Sequence, residues 1–578
     1  MKAQSPNNSR PQHAISKWRL AITVCLACLF LVLWFGALDE RELFHPDEGR
    51  YAEIPREMVA SGDWITPRLN GLKYFEKPVL QYWITAVSYL ALGGEEIVAR
   101  LWPALSGFLT LFLVYSMGRR LAGVRVGLVA AAVLATTFQF FVFSQILTLD
   151  MGLSFFLTLA LYGFLASQDF RATAVQQRNW AVLMWVAMAL AVLSKGLVGV
   201  VLPALVLVVY VVIERDWKLL SRLHWGIGVA AFLVIALPWF IWVQWRNPEF
   251  FEFFFVREHF GRYALNEHRR AGVWYYFLAL LLLGSLPWSF MYIRATFTAW
   301  RKPSLNHFTI NPIRVLVLWV ITITAFYSIS RSKLPGYILP VYPALALLLG
   351  CYAQREIKQL SKRTPLGIAT LGIAVALAAP FLTRIPRFAN DADLIEPYVA
   401  WAMAGGGILF GASVLALATL GRFPRFALPA LGFGVLFSFQ IFVTGAESIE
   451  DQFSSETLVE NALDTVGDFE PDVPFYSLAM YDQTMPPYLG RTLTVVKFRG
   501  EFDMGLTQEP AKAVASVEEF RRLWRGHAQA YAIMPRAQFD EERAAGTPLS
   551  ILAINRSAAI VARTALAENA KRLRRPDQ

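Results

Sequence analysis

Residues 39–77 carry the densest chemistry in the chain. DERELFHPDEGRYAEIPREMVASGDWITPRLNGLKYFEK holds nine acids and six bases interleaved with aromatics, set between two apolar segments. A plain connection would be shorter and less charged. From Pro46 to Ala60 the spacing predicts an amphipathic helix lying at an interface, with Tyr51, Ile54 and Met58 on one side. Asp47 and Glu48 then stand at its N-terminal end, where the helix dipole favours carboxylates and where capping is a role open to Asp47. Asp150, in SQILTLDMG, is a second acid in a costly place, at one end of an apolar run. An acid beside a membrane helix is expensive unless it is paired or functional. Glu76-Lys77-Pro78, REHFGRY (257–263) and SRSKLPGY (330–337) also interrupt the apolar pattern, and Lys195 does so within LSKGL.

Lys and Arg at the membrane surface suit a phosphate, the first as a point charge and the second as a planar fork. A phosphate with an apolar tail is what a lipid-linked sugar donor presents. Acids beside it can orient an acceptor, act as a base or hold a cationic sugar group. Glu76 with His259 offers carboxylate and imidazole, two ligands of the kind a divalent metal such as zinc takes. Lys195 reads equally as a phosphate contact or as a snorkelling side chain. Single charges at these places are commonly headgroup contacts; several converging loops point to a site.

The elements that position these residues are membrane spans. Of 578 residues only 17% are charged and 56% are apolar, with 43 Phe and 18 Trp; 54 Lys+Arg against 43 Asp+Glu give +11. This composition excludes a disordered chain, a disulfide scaffold and an ordinary cytosolic enzyme. Cys25 and Cys28 spell C-x-x-C but lie with Cys351 in apolar runs, so they read as small apolar residues of helices. The stretch Lys17–Leu38 reads as an uncleaved signal anchor behind a basic arm. Further spans are expected at 97–117, 123–143, 151–167, 180–194, 196–213, 225–246, 273–293, 313–329, 337–352, 366–382, 398–419 and 424–444. Treating 78–93 as an interfacial helix puts the basic loops on the cytoplasmic side, so the positive-inside rule selects thirteen spans. Residues 1–444 then form the membrane domain, with 39–96 as its first periplasmic loop, and everything after Gly445 is exported. Within 445–578, PFYSLAMYD, RTLTVVKF and QAYAIMP read as strands and SVEEFRRLWRG and FDEERAA as helices, predicting a small α/β domain packed on the outer face. The basic end KRLRRPDQ reads as a solvated tail.

FHPDEGRYAEIPREMVASGDWITPRLNGLKYFEKPVLQYW resembles the first outer loop of the bacterial 4-amino-4-deoxy-L-arabinose lipid A transferases. These belong with the protein O-mannosyltransferase-like glycosyltransferases of the GT-C fold. REHFGRY and SRSKLPGYILPVYPALALL resemble further stretches of that family; the likeness covers roughly residues 17–350 and is weak across the tail. The resemblance implies a periplasmic-side enzyme of the inner membrane with an undecaprenyl phosphate-linked aminoarabinose donor and a lipid A phosphate acceptor. Its product opposes polymyxin and other cationic peptides. It carries the essential acid onto Asp47 and a second acid onto Asp150, donor-phosphate contacts onto Lys77, Arg262 and Tyr337, and a metal site onto Glu76 and His259. Glu48, Arg50, Arg56, Tyr74, Lys195, Arg257 and Lys333 are further candidate binding residues. Partners are thus membrane lipids, with no nucleic acid expected. The competing readings are a transferase of another sugar to protein or glycan, and a lipid transporter. A transporter should carry its charges near the bilayer midplane in repeated halves; here they cluster at one boundary.

Overall fold

The computed structural model describes residues 12–261, 272–300, 307–385 and 392–563. Arg262 and the basic end KRLRRPDQ lie outside these residues, as does the side chain of His259. The molecule is a polytopic α-helical membrane protein. Its helices are α1 (Gln12–Phe35), α2 (Asp47–Ser61), α3 (Leu80–Leu92), α4 (Glu96–Ala122), α5 (Val124–Ala135), α6 (Phe138–Ser144), α7 (Leu149–Ser167), α8 (Ala174–Lys195), α9 (Val198–Glu214) and α10 (Trp225–Arg246). A π-helical segment, Glu252–Gly261, precedes α11 (Tyr276–Gly284), α12 (Ser289–Trp300) and α13 (Pro312–Ile329). A 3-10 turn at Pro335–Val341 then leads into α14 (Tyr342–Ala378), α15 (Ala392–Leu420) and α16 (Pro424–Thr444). Cys25 and Cys28 sit exposed on α1 as free thiols.

Among the described residues, eight helices are long and apolar enough to cross a membrane, and ten crossings result if each of two bent pairs counts as one. The expected thirteen differs from this count: two predicted spans are broken, those at 17–38 and 196–213 correspond to the shorter apolar helices Leu20–Phe35 and Val198–Glu214, and the one at 180–194 is not among the eight. The 123–143 span is α5 and α6, bent by 69°, and the 273–293 span is α11 and α12, bent by 111°. At the first break the Thr136 and Thr137 hydroxyls donate back to Ala132 O at 2.6 Å and Val133 O at 2.8 Å. Such back-bonding competes with helix continuation and bends helices. Conversely, the predicted spans 337–352 and 366–382 share one helix, α14, whose intervening Gln, Arg, Lys and Leu residues are good helix formers. α7 is an inner helix, buried along most of its length, whereas α10 turns Val234, Leu237, Ile241 and Trp242 outward, as a lipid-facing helix does.

The first loop forms the expected helix, α2, over Asp47–Ser61, but it does not lie at an interface: Glu48, Arg50, Glu53 and Glu57 are buried along with Tyr51, Ile54 and Met58. A hairpin of β1 (Arg68–Leu69) and β2 (Leu72–Lys73) follows. Asn70 and Gly71 make its two-residue turn with φ of 54° and 74°. Asn-Gly is the pair that tolerates two positive φ values with least strain, and it produces the twist a hairpin needs. α3 is a short helix of 13 residues.

Beyond α16 the chain builds helix α17 (Glu456–Val466) and a six-stranded sheet. Its strands are β3 (Phe475–Leu478), β4 (Thr494–Val496), β5 (Ala513–Val514), β6 (Tyr531–Pro535), β7 (Ser550–Ile554) and β8 (Ala558–Ala562), in the order β5-β4-β3-β6-β8-β7. β3 runs parallel to β4 and β6, whereas β8 is antiparallel to both β6 and β7. Apolar side chains are buried on both faces of the sheet, with Phe475, Tyr531 and Ile533 on one and Tyr476, Phe520 and Trp524 on the other. The three predicted strands are β3, β4 and β6; the predicted helices are Val517–Gly526 and Arg536–Ala544.

Candidate active site

The loop is anchored before it is used. Glu48 is buried at 1% exposure and receives both Arg41 and Arg100, the latter at 3.0 Å from Nε. It also accepts the backbone N–H groups of Phe44 at 3.0 Å and Leu147 at 2.8 Å. Burial pushes this carboxyl upward, but the two guanidiniums outweigh it and hold its pKa well below the ordinary carboxylate range. Glu48, a candidate ligand residue from sequence, is therefore saturated and joins the loop to α4. Arg56 is likewise spent on structure: both Glu53 oxygens accept from it at 2.6 Å, and Gly490 O accepts at 2.9 Å.

One residue away, Asp47 is only half-buried. It does not cap α2; the cap position is Pro46, and no side chain bonds there. Its partner is Arg50, which donates to Asp47 Oδ1 at 2.8 Å and to Glu501 Oε2 at 2.7 Å. Arg50 also lies over the Tyr51 and Tyr74 rings at 6.0 and 5.9 Å. Burial raises the Tyr51 and Tyr74 phenols well above their ordinary range, and the charge of Glu76 adds to the rise at both. These phenols remain neutral donors at any physiological pH. Lys77 completes this side: its ammonium lies 4.0 Å from Glu76 Oε2 and 3.8 Å from Glu258 Oε2, on the π-helical segment.

The second acid is paired as well. Asp150, in the first turn of α7, forms an ion pair with Lys195 at the end of α8, and both side chains are nearly enclosed. Lys195 Nζ also stands 5.0 Å over the Tyr337 ring. Gly336 packs directly on the Asp150 carboxylate: a Cβ there would come within 2.3 Å of it. Lys333 instead donates to Tyr327 O at 2.9 Å and Ser328 O at 2.6 Å, closing the C-terminus of α13. Arg257 is exposed and reaches Asp503 at 3.6 Å.

Asp47, Tyr74, Glu76, Lys77 and Arg50 thus gather on the loop, and Asp150, Lys195 and Tyr337 gather at the ends of α7 and α8. Leu149 and Leu193, beside Asp150 and Lys195, pack in the same apolar cluster as Tyr51, Tyr74 and Tyr82. Both groups therefore stand at one end of the helical bundle. Sequence reasoning missed Glu501, Arg100, Arg41, Tyr51 as an Arg50 contact, and Glu258 as the Lys77 partner. Arg41, Tyr51 and Glu258 had a local signal, the first two inside the charged loop and the third inside REHFGRY; Arg100 and Glu501 had none. Among the described residues no three His, Cys, Asp or Glu side chains gather as a metal site.

The chain is similar to known glycosyltransferases. Residues 16–254 match the model of the dolichyl-phosphate-mannose-protein mannosyltransferases, and residues 464–563 match that of the aminoarabinose transferase C-terminal domain. An undecaprenyl phosphate-α-4-amino-4-deoxy-L-arabinose arabinosyl transferase of Pseudomonas aeruginosa (strain LESB58) is 32% identical over 394 residues, 65% of this chain and 70% of the relative. One from Edwardsiella ictaluri (strain 93-146) is 32% identical over 67% of this chain and 69% of the relative. The crystal structure of ArnT from Cupriavidus metallidurans bound to undecaprenyl phosphate superimposes with a TM-score of 0.89 at 36% identity, covering 94% of this chain and 99% of that one. With its loop, its helical bundle and its C-terminal sheet all shared with these relatives, the chain belongs to the undecaprenyl phosphate-aminoarabinose arabinosyl transferases, glycosyltransferases of the GT-C fold.

Proposed function

We propose that this enzyme moves 4-amino-4-deoxy-L-arabinose from undecaprenyl phosphate to a phosphate of lipid A, at the periplasmic face of the inner membrane. The reading is supported above all by two carboxylate–cation groups, Asp47–Arg50 with Lys77 and Asp150–Lys195 with Tyr337, at one end of an apolar bundle. A lipid-linked donor needs this combination: apolar flanks for the tail, cations for the phosphate and acids for an ammonium-bearing sugar. Lys77 stabilises the departing polyprenyl phosphate as charge develops on it. Lys195 and Tyr337 face the same demand from the bundle side. The acceptor phosphate is already a nucleophile, so Asp47 acts by holding the sugar ammonium and placing its anomeric carbon. Displacement by the acceptor at that carbon inverts it. The transfer lowers the negative charge of lipid A and so opposes polymyxin and other cationic peptides.

The same reading includes a divalent metal such as zinc. Glu76 supplies a carboxylate and His259, which follows Glu258 in sequence, an imidazole, the two donor types that zinc takes. Glu76 and His259 would hold the ion, which when bound offsets negative charge on the donor phosphate. The deciding experiment supplies purified protein in lipid with undecaprenyl phosphate-aminoarabinose and lipid A, and seeks the added pentosamine by mass spectrometry. Asp47→Asn runs alongside and is expected to be folded and inactive. A folded wild-type preparation that yields no product overturns the acceptor and sugar named here. Full turnover by the Asn variant removes Asp47 from the reaction.

A further inference from the structure

The opposite end of the bundle carries a second polar site. Arg100 and Arg119 stand 19 residues apart on α4, about 29 Å at the helical rise. That is close to the thickness of a hydrocarbon core of about 30 Å. α7 runs between the same two levels, from Asp150 to Ser167. At this far surface lies a cavity of about 510 Å³, lined by Arg119, Arg120, Asp169, Arg171, Tyr162 and Trp180 among others.

Its walls are fixed by named bonds. Asp169, buried at 1% exposure, accepts Arg120 at 3.1 Å and Arg171 at 2.9 and 2.7 Å. Arg171 also donates to Arg120 O at 3.0 Å, and the His307 ring bonds the same carbonyl at 3.1 Å. Arg120 lies 5.3 Å from the Trp180 ring centre, and Trp180 packs on Tyr162 at 5.2 Å. Two guanidiniums thus share one carboxylate and Arg119 adds a third, leaving two positive charges in excess around a preformed cavity. Part of that excess complements the C-terminal ends of α4 and α7. Dipole compensation needs no cavity, however, and gives no reason for an aromatic pair at its rim. Trp and Tyr at a membrane–water boundary sit at headgroup depth, and basic pockets between membrane helices are suited to phosphate headgroups.

We infer that this cavity is a phosphate-ester site on the membrane surface opposite the transferase site, with Arg119 and Arg120 as the phosphate contacts and Trp180 as the wall against the ester's carbon chain. The chemistry is shared by the phosphodiester of an anionic phospholipid and by a free soluble phosphate. The test uses the full chain in nanodiscs of dioleoylphosphatidylcholine, with dioleoylphosphatidylglycerol added in steps and retained lipid read by native mass spectrometry. Arg119 is exposed and makes no described ion pair, so Arg119→Gln perturbs the cavity without dismantling its walls; Trp180→Ala is the second variant. Wild type should retain phosphatidylglycerol over phosphatidylcholine, and each variant should need at least five-fold more of it for equal retention. In a parallel arm, inorganic phosphate at millimolar concentration is added to phosphatidylcholine-only discs and the melting temperature is followed. A rise in wild type that both variants lose assigns the site to a soluble phosphate instead. Equal phosphatidylglycerol retention by wild type and both variants, with no phosphate-dependent rise, overturns the site.

Discussion

Buried carboxylates in this protein follow opposite courses, and the difference lies in their partners. Glu48 has two guanidiniums and is held ionised. Glu57, one turn further along α2 from Glu53, has burial and that neighbouring carboxyl against it and is pushed up to about 8, although the Gly71 N–H pulls it back. Its proton stays on in the folded protein up to that pH, whereas the unfolded chain releases it near the ordinary 4.5. The folded state then binds more protons between the two values, so stability falls as pH rises through this window. Glu57→Gln should flatten the decline of melting temperature between pH 5 and 9 and be the more stable protein at pH 9, by on the order of a few kcal/mol. An unchanged slope removes Glu57 as its source. At Asp150 the concern is pairing. Lys195→Met leaves an enclosed carboxylate without its cation, a change that costs about 3–5 kcal/mol. Adding Asp150→Asn should restore much of that stability but not turnover, as denaturant unfolding in micelles and the transfer assay will show. The acids were legible in the sequence because a charge beside an apolar run is expensive and so conspicuous. Their partners were not: Arg41 and Arg100 read as ordinary basic residues until the fold brings them to Glu48.

At the scale of elements, α2 is held between two bodies. Gly49 sits against the Gln483–Thr484 backbone of the C-terminal domain, where a Cβ would meet Gln483 O at 2.4 Å and Thr484 N at 2.7 Å. Gly49→Ala must therefore push helix and domain apart. Overpacking of this kind costs about 1–3 kcal/mol. Limited proteolysis should cut the junction near residues 445–455 faster in this variant, and equal rates would show that the contact can relax. The periodicity of residues 46–60 made α2 readable. The bends between α5 and α6 and between α11 and α12 were not, because a continuous apolar run hides a change of direction that hydroxyl back-bonding and packing impose.

At the scale of the whole molecule, the C-terminal domain helps build the site. Glu501 and Asp47 share Arg50, Leu493 holds Asn70 of the hairpin at 2.8 and 2.7 Å, and Tyr488 accepts the Leu43 N–H at 2.7 Å. Phe502, Met504 and Leu506 lie in one apolar cluster with Tyr51 and Tyr74. Glu501→Gln keeps the size of the side chain but removes the charge that fixes Arg50, and through it Asp47, against the C-terminal domain. It should lower turnover about ten- to a hundred-fold, with a melting temperature close to that of wild type. Unaltered turnover would make this ion pair structural alone. Composition and apolar runs by themselves determined a multi-pass membrane protein with a polar C-terminal α/β domain. The charged loop and its neighbouring motifs determined the family, since chemistry concentrated at a lipid boundary leaves a local pattern. Only the tertiary structure decided that Glu501, more than 400 residues from Asp47, reaches it through one arginine. It alone also decided that Glu48 is an anchor beside a half-exposed Asp47. Pairing between distant segments is set by how the bundle and the sheet pack together, and no local spacing encodes it.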